Sequence, residues 1–383
     1  APGYGSPFMV TADGEQREAV MEDYDNFCKL VQTSKYVDMN GCLMVEPSDR
    51  PAETAHLDQV FSNFVLCDKP CLGSSVSRQA AIDSIEMAAI VWGGKENIQN
   101  RPVLMGIISS LSPLQYSVEM AGALIEYARH GQVCMLALLM QAGATGPVTL
   151  PGLLAVQNAE VLAGIILAQL VNPGTPVIYG TTSTITEMRT GGLAIGAPEL
   201  SIIQNATMQM AQFYGLPSRG SGGLTDAHFP DMQAGIESTL GLSQTILSGA
   251  NFILHACGIL GSYISMSYEK FLADEELCGM LRRYLKPLDV TDDRIDLPTI
   301  KEVGVGGEYL THERTFEHCR SEFYLPAIMS RVDFESWHNA GKKTLKESAT
   351  ALLDKRLAEY IKPDIDSDIE KKLAEYVSKR KAE

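Results

Sequence analysis

The sequence predicts an α/β protein, a (β/α)8 barrel of the TIM type with a C-terminal helical extension, on three observations. Seven short β-like runs alternate with stretches of helical period. The runs are almost continuously apolar, as expected of parallel strands that are buried on both faces. No G-x-G-x-x-G follows the first run and no Walker A motif occurs, although an open doubly wound sheet would place a phosphate-binding turn there. A closed barrel therefore fits better than an open sheet.

The helical stretches between the β-like runs often end near a glycine that suits a C-cap, such as Gly131, Gly215 and Gly249. An eighth run over Tyr263–Ser267 is weaker than the other seven. The predicted strands are Val37–Gly41, Lys69–Ser74, Val103–Ser109, Val133–Leu139, Val177–Thr181, Pro217–Gly223 and Asn251–Gly258. The predicted helices between them are Ala80–Trp92, Pro113–His130, Leu153–Leu170, Pro198–Tyr214 and Met232–Ser248.

After residue 340 the sequence becomes rich in Lys and Glu, with apolar residues at helical spacing from Leu345 to Tyr360 and a second such pattern after Pro363. We expect a barrel domain over residues 1–340 and a C-terminal helical cap over residues 341–383. A cap packed on the barrel is the simpler interpretation, and a docking arm for a partner is the alternative.

Charge argues against some partners. The chain has 31 Lys+Arg and 47 Asp+Glu, a net charge of −16, which disfavours nucleic acid and anionic membranes. No uninterrupted apolar run reaches the roughly 18 residues that span a bilayer. The eight cysteines lack the dense spacing of a disulfide framework, which favours reduced thiols and a cytoplasmic location. The N-terminus shows neither an initiator Met nor a signal peptide, so we expect a fragment of a longer protein.

Residues that follow the predicted strands are the first candidates for a site, because a parallel barrel places its site at the carboxyl ends of the strands. Tyr179 and three hydroxyl residues lie at one such end, and Arg219–Asp231 is the most glycine-dense segment of the chain. That segment contains the titratable residues Asp226, His228 and Asp231. Asp231 has an alternative role as the N-cap of the next helix.

Other patterns are less specific. His255 lies within a predicted strand and points either into the barrel or into the helix layer. The His312–Cys319 segment lacks the H-E-x-x-H and H-x-x-E-H spacings, so no metal site is predicted. There is no G-x-S-x-G elbow. Glu187, Glu199 and Asp226 leave open a pair of glycosidase carboxylates, but with 7% aromatic residues the chain is poorly suited to stacking sugars. These residues alone predict a soluble α/β-barrel enzyme of unknown reaction.

A set of short motifs in fixed order resembles the trimethylamine methyltransferase family over essentially the whole chain. The motifs are Ala1–Phe8, Met44–Pro47, Tyr214–Pro217, Gly222–Asp226, Asp231–Glu237, Gly249–Asn251, Ser267–Lys270, Asp274–Cys278 and Lys301–Leu310. The resemblance implies a barrel that moves a methyl group from a methylated amine to the cobalt of a separate corrinoid protein. Because family members usually have a longer N-terminal segment, it also implies that the chain is truncated.

The resemblance further distinguishes two branches. The archaeal trimethylamine enzymes have pyrrolysine in the loop after the sixth strand, which Thr225–Asp231 resembles, and here Ala227 or His228 occupies that place. This departure implies the branch without pyrrolysine, which resembles glycine betaine methyltransferase and acts on quaternary amines. A quaternary amine leaves as a neutral tertiary amine, so the protein has to orient its substrate rather than supply an acid. The corrinoid does the demanding chemistry.

These implications assign roles to loop residues. A cationic head group is met by aromatic faces at about 0.5–2 kcal/mol each, for which we select Tyr116, Tyr179 and Phe229. Asp226 and Glu199 would add negative potential, and Arg219 would bind a substrate carboxylate. His228 is the catalytic candidate, and His255 is a substrate-binding candidate on the cavity floor.

Several alternatives stay open. Cobalamin would come with the corrinoid protein, no cofactor or metal would be tightly bound, and the relatives imply a homo-oligomer. The substrate could be glycine betaine, carnitine, proline betaine or choline. A noncatalytic barrel that binds a betaine is the rival hypothesis.

Overall fold

The computed structural model describes every residue from Ala1 to Glu383 and confirms the α/β barrel. The strands are β1 (Phe8–Val10), β2 (Gln16–Glu18), β3 (Leu72–Gly73), β4 (Met105–Ile108), β5 (Val133–Leu138), β6 (Gln141–Ala142), β7 (Val177–Thr181), β8 (Thr184–Thr186), β9 (Leu193–Ala194), β10 (Ser218–Ser221), β11 (Phe252–Leu254), β12 (Ile259–Leu260) and β13 (Ser265–Met266). The centre of the fold is a curled parallel sheet in the order β11-β10-β7-β5-β4-β3.

Two irregular segments, residues 1–6 and 40–45, lie between the edges of the sheet and close the barrel. The backbone N–H groups of His255 and Ala256 donate to carbonyls of residues 2 and 1, at 3.1 and 2.9 Å. On the other side, Ser6 forms a parallel bridge with Val45, and Asn40 bridges Cys71 next to β3. The barrel therefore has eight members, six regular strands and two bridged segments.

The predicted eighth strand over Tyr263–Ser267 was wrong. Its ordered part, β13, belongs to a small separate sheet in the order β12-β13-β1-β2. The eighth member is residues 1–6 instead. That segment contains Pro2, Gly3 and Gly5, residues that weaken a strand pattern, so its role depends on hydrogen bonds to distant residues.

Helices follow the barrel strands in alternation, as predicted. The helices are α1 (Met21–Thr33), α2 (Ala55–Leu66), α3 (Arg78–Val91), α4 (Lys95–Ile98), α5 (Val118–Arg129), α6 (Leu150–Val171), α7 (Pro198–Phe213), α8 (Met232–Leu247), α9 (Tyr268–Leu285), α10 (Asp292–Ile295), α11 (Leu297–Val303), α12 (Glu313–Glu322), α13 (Phe334–Asn339), α14 (Leu345–Ala358) and α15 (Ser367–Ala382).

The two C-terminal helices pack on the outside of the barrel, α14 against α1 and α9, and α15 against α2 and α3. Asp83 on α3 fixes α15 in place, because its Oδ1 accepts hydrogen bonds from Tyr376 and from Arg380, both at 2.8 Å. Burial would raise the pKa of Asp83, but the hydrogen bond with His56 Nε2, at 2.9 Å, and then those from Arg380 and Tyr376 hold that pKa well below its usual range.

One helix, α6, is long and apolar enough by length and composition to cross a membrane. It packs on β5 and β7 between α5 and α7 as a barrel helix. The sequence showed no uninterrupted run of this length, because Gln157, Asn158 and Glu160 break it.

Candidate functional site

Arg219 on β10 is a fully buried side chain, 0% exposed, and it points into the barrel. Its neighbour in the sheet is Gly180, and a Cβ added at Gly180 would lie 2.8 Å from the Arg219 Cβ. The glycine thus leaves the space that the arginine side chain occupies. Burial lowers the pKa of Arg219 to about 10, and no carboxylate raises it. The barrel therefore holds a guanidinium charge without an acidic partner.

His255 lies beside this guanidinium, with its Nδ1 2.9 Å from Arg219 Nη2. A guanidinium only donates hydrogen bonds, so the Nδ1 atom must accept and the ring proton must be on Nε2. Burial, and then the Arg219 charge, lower the pKa of His255 well below its usual value. The imidazole is accordingly neutral at physiological pH. Its backbone has a φ of +58°, an uncommon conformation for a residue other than glycine.

Three buried polar atoms around these two residues have no well-formed hydrogen bond: Arg219 Nε, Ser221 Oγ and Tyr263 Oη. Burial raises the pKa of Tyr263 to about 12, and the Arg219 charge and a weak contact with the Ser221 hydroxyl oppose that rise, so the two hydroxyls lie near each other. Arg219 and Ser221 lie two residues apart on one strand and therefore point to the same side of the sheet. The Tyr263 ring lies 4.9 Å from the His255 ring, between centroids. Since buried polar groups almost always have partners, three such atoms together indicate a place where a polar ligand binds.

Two tyrosines add aromatic surface to the same place, which we call the interior cluster: Arg219, Ser221, His255, Tyr263 and Tyr4. Tyr4 meets His255 edge-on, with 6.5 Å between the ring centroids. Tyr263 has a φ of +76°. The interior cluster thus combines unpaired donors, which suit an anion, with ring faces, which suit a cation.

The predicted aromatic cage is placed differently. Tyr179 is 1% exposed and points outward into the helix layer, where its hydroxyl donates to Asn158 Oδ1 at 2.8 Å. Because Ser218 pairs with Tyr179 and Arg219 with Gly180, an inward Arg219 requires an outward Tyr179. Tyr116 likewise donates to the Glu160 carbonyl on α6 at 2.8 Å. Neither ring faces the barrel interior.

The loop that follows β10, residues 222–231, is held by satisfied hydrogen bonds. The Asp226 carboxylate accepts from the backbone N–H groups of Ile195 and Gly196, both at 2.9 Å, and from the Ser262 hydroxyl at 2.6 Å. Asp231 caps α8 by accepting from the Ala234 N–H at 3.0 Å, so the alternative role predicted for it is confirmed. We call this segment the clamped loop.

The other predicted rim residues are also outside the interior cluster. His228 is exposed and lies next to Gly261. The loop is fixed in this position because the Ala227 carbonyl accepts a hydrogen bond from the Gly261 N–H at 2.8 Å. Phe229 is half-buried beneath Lys346, whose ammonium is 5.4 Å from the ring centroid. Glu199 lies half-exposed in the first turn of α7. Of the predicted site residues, Arg219 and His255 are the two that come together.

Tyr4, Ser221 and Tyr263 were not among the site residues predicted from the sequence. A signal existed for Ser221, which shares a strand face with Arg219. Tyr263 lies between Gly261 and a short strand, where a tyrosine at positive φ can be recognised only from the backbone. His312 and His318 lie far from this site on α12, where His312 accepts from the Arg314 N–H as an N-cap.

The carboxyl end of the barrel has a cavity and a set of exposed apolar side chains. A cavity of about 440 Å³ lies at the ends of the first three members and is lined by residues that include Phe8, Leu43, Glu46 and Val76. Apolar side chains are exposed in the loops after β4, β6 and β8. They are Leu111, Leu114, Val148 and Met188, which we call the apolar rim.

Comparison with known proteins identifies relatives over the full length. Residues 1–383 match a family model described as trimethylamine methyltransferase (MTTB). The chain is 45% identical over 379 residues to a glycine betaine methyltransferase of Desulfitobacterium hafniense (strain Y51), covering 99% of this chain and 79% of that one. It is 34% identical over 379 residues to a proline betaine:corrinoid methyltransferase of Eubacterium limosum, covering 94% and 76%.

Two further proteins are also similar to this chain. A trimethylamine methyltransferase MttB of Desulfitobacterium hafniense (strain DSM 10664 / DCB-2) is 36% identical over 265 residues, covering 69% of this chain and 53% of that one. Among solved structures, the monomethylamine methyltransferase MtmB of Methanosarcina barkeri superposes with a TM-score of 0.50 at 11% identity, covering 94% of this chain and 72% of that one. At this identity the structural match supports a shared fold and nothing further.

Proposed function

Because the chain belongs to the trimethylamine methyltransferase family, we propose that it transfers a methyl group from a carboxylate-bearing quaternary amine, such as glycine betaine, to the Co(I) of a corrinoid protein. The sequence relationship supports the reaction class, since relatives at 45% and 34% identity are named for glycine betaine and proline betaine. The observation that carries the choice of substrate is the unpaired guanidinium of Arg219 inside the barrel.

The buried guanidinium donates hydrogen bonds to the Thr181 carbonyl and to His255 Nδ1, but no acidic group pairs with it. A buried charge without a counter-charge is costly, which favours an anionic ligand beside it. A betaine carboxylate supplies that ligand, because it accepts hydrogen bonds from the three donors that lack a partner, Arg219 Nε, Ser221 Oγ and Tyr263 Oη. The trimethylammonium end then lies against the ring faces of Tyr4 and Tyr263. His255 stays neutral and adds no positive charge next to the cationic head.

The tasks of these residues are binding, orientation and exclusion of water. The C–N bond of the bound amine breaks and its electron pair stays on nitrogen, so the leaving group is a neutral tertiary amine that needs no proton. The corrinoid, as the second substrate, supplies the cobalt nucleophile that takes the methyl group. No general acid is required, which agrees with an interior cluster that contains no carboxyl group.

We assign the docking of the corrinoid protein to the apolar rim. The four side chains of the apolar rim are between 59% and 71% exposed and lie on loops at the carboxyl end. A parallel barrel has its site at the carboxyl ends of the strands, so we expect the methyl acceptor to approach from that end. Exposed apolar side chains grouped in this way are typical of a protein interface.

The test mixes the protein with a reduced corrinoid protein and one amine, and follows the absorbance change from Co(I) to methyl-Co(III). Glycine betaine should react. Choline has the same cationic head but no carboxylate, and should show a kcat/KM lower by at least about 100-fold, since the donors would remain unpaired.

Two outcomes would contradict the proposal. Equal rates with choline and glycine betaine would remove the carboxylate from substrate recognition. Heat of binding with every betaine but no cobalt spectral change would favour the noncatalytic betaine-binding barrel. A Leu114→Asp variant serves as the matched control for docking, because it should raise the KM for the corrinoid protein and leave the KM for the amine unchanged.

A further inference from the structure

The cavity of about 440 Å³ at the carboxyl end of the barrel is separate from the interior cluster. His56, in the first turn of α2, lines this cavity, and its side chain is 7% exposed. The His56 Nδ1 atom is buried and has no hydrogen-bond partner. A buried polar atom without a partner in the wall of a cavity indicates that a ligand supplies the partner.

The other ring nitrogen of His56 is fixed by a carboxylate. His56 Nε2 lies 2.9 Å from Asp83 Oδ2, and Tyr376 and Arg380 of α15 donate to the other oxygen of Asp83. Because the pKa of Asp83 is held well below its usual range, this carboxylate is ionised and can only accept. The ring proton is therefore on Nε2, and Nδ1 of the neutral imidazole is an acceptor.

The charged groups that line the cavity are acceptors or are already paired. Glu18 and Glu46 line it, and partial burial raises the pKa of Glu46 with no hydrogen bond to oppose the rise. Arg50 is the one Lys or Arg in the lining, and it is paired with Asp49 at 2.9 Å and with Asp58 at 3.2 Å. The cavity therefore suits a ligand that donates hydrogen bonds.

This set of acceptors excludes two kinds of ligand. A quaternary amine has no N–H group on its cationic head and cannot satisfy His56 Nδ1 with it. An anion such as phosphate is repelled by the two carboxylates. A primary amide is uncharged and has two N–H donors, so it meets both requirements. Phe8, Leu43 and Val76 add an apolar wall for the carbon chain that bears the amide.

We propose that this cavity binds the carboxamide side chains at the edge of the corrinoid ring, with an amide N–H donated to His56 Nδ1. The inference rests on the proposed function, in which the corrinoid is the second substrate. Acetamide and propionamide groups surround a corrin ring, so its edge presents primary amides. The apolar rim follows β4, β6 and β8, whereas the cavity follows β3 and the two irregular segments. The partner protein and the edge of its corrinoid thus meet different arcs of the same mouth.

Equilibrium dialysis of the full chain against free corrinoids measures this contact without methyl transfer. The probes are cobinamide, which keeps the primary amides, and heptamethyl cobyrinate, in which methyl esters replace them. Cobinamide should bind to the wild-type chain at least about 10-fold more tightly than the ester, because an ester cannot donate a hydrogen bond. His56→Leu should weaken cobinamide binding by about 10-fold and leave ester binding unchanged.

Two variants serve as controls. His56→Asn keeps a side-chain oxygen as an acceptor and should retain part of the preference for cobinamide. His338→Leu removes an exposed imidazole outside the cavity and should change neither affinity. Circular dichroism shows whether each variant is folded. Since His56 is outside the interior cluster, His56→Leu should also leave the KM for glycine betaine unchanged.

The proposal is overturned if the wild-type chain shows no preference for cobinamide, or if the preference is unchanged in His56→Leu. It is also overturned if His56→Leu weakens binding of the corrinoid-free partner protein and not of cobinamide, because the cavity then takes a donor of that protein, such as a lysine. A wild-type chain that binds cobinamide through His56 but transfers no methyl group would contradict the proposed function instead.

Discussion

Arg219 and Ser221 of the interior cluster lie on β10, and the clamped loop continues from that strand. The polar groups of the clamped loop are hydrogen-bonded, whereas several of those in the interior cluster are not. In the clamped loop, the Asp226 carboxylate has three hydrogen-bond partners. In the interior cluster, Arg219 Nε, Ser221 Oγ and Tyr263 Oη have none. From the sequence alone, both regions look like functional sites, because both contain polar and titratable residues.

The difference separates scaffold from binding site. A satisfied polar group stabilises the fold, and its removal costs stability. An unsatisfied buried group costs stability in the free protein, so its removal should cost function instead. The comparison therefore predicts that substitutions in the two regions change different measured quantities, and four experiments test this.

The largest effect is expected at Lys270, which fixes the start of the clamped loop. Its ammonium is buried and donates to Asp274 Oδ2 at 2.5 Å, to Ser238 Oγ at 2.8 Å and to the Gly223 carbonyl at 3.1 Å. Lys270→Met leaves Asp274 as an uncompensated buried charge and should lower the free energy of unfolding by about 3–5 kcal/mol. Urea unfolding at pH 7 measures this loss.

The matched control for that prediction removes both charges. Lys270→Met combined with Asp274→Leu should recover most of the lost stability, because no unpaired charge remains. Full stability in the single variant would mean that the buried pair does not hold the clamped loop.

Arg219→Met should have the opposite profile. The kcat/KM for glycine betaine should fall by about 100-fold or more, roughly 3 kcal/mol, mainly through a higher KM. The free energy of unfolding should change little, because the loss of the hydrogen bonds to the Thr181 carbonyl and to His255 Nδ1 is offset by the removal of a buried charge that has no acidic partner. Steady-state kinetics in the cobalt assay and urea unfolding measure the two quantities.

Arg219→Lys is the conservative control, since it keeps the charge and loses the planar arrangement of donors. It should retain more activity than Arg219→Met. If Arg219→Met instead lowers the free energy of unfolding and leaves the KM unchanged, the interior cluster is part of the scaffold and not a binding site.

The sequence was sufficient for the barrel because each βα unit has its own local signal. The strand at Val177–Thr181 was predicted to the residue, and the helices were predicted to within a few residues. Closure was not predictable in this way, because residues 1–6 find their partners more than two hundred positions away, at His255 and Ala256. The local sequence of this segment, which is rich in Pro and Gly, does not predict that pairing.

The site could be predicted only in part for a similar reason. Both faces of a parallel barrel strand are buried, so apolar and polar residues do not alternate and the inward face is not marked. Tyr179 and Arg219 were both expected at the mouth, but the register places Gly180, not Tyr179, beside the arginine. Arg219 and His255 were found because a charged or titratable residue within an apolar strand is conspicuous in any register.

A smaller effect is expected from pH. The pKa of His255 is lowered in the folded protein, so below the usual value near 6.5 the unfolded chain binds a proton that the folded chain does not. This contribution to stability is complete above pH 6.5 and is lost as the pH falls below it, at up to about 1.4 kcal/mol per pH unit.

His255→Asn should remove that dependence, and asparagine tolerates the positive φ at this position. The difference in urea midpoint between wild type and variant, measured from pH 7.5 to 5.5, isolates the contribution of this ring. A difference that does not change with pH would mean that the histidine protonates normally in the folded protein, and therefore that Arg219 does not face its Nδ1.

The smallest effect is expected for His228→Ala. The ring is exposed on the clamped loop and donates no hydrogen bond to the interior cluster, although the sequence marked it as the catalytic candidate. The variant should keep the stability of the wild type within about 0.5 kcal/mol, as exposed substitutions usually do, and its KM for glycine betaine should be unchanged. Asp226→Asn on the same loop is the matched comparison, and it should lower stability without raising that KM. If His228→Ala abolishes methyl transfer while binding and stability are retained, then the clamped loop takes part in the reaction, and the division between a binding interior and a structural rim does not hold.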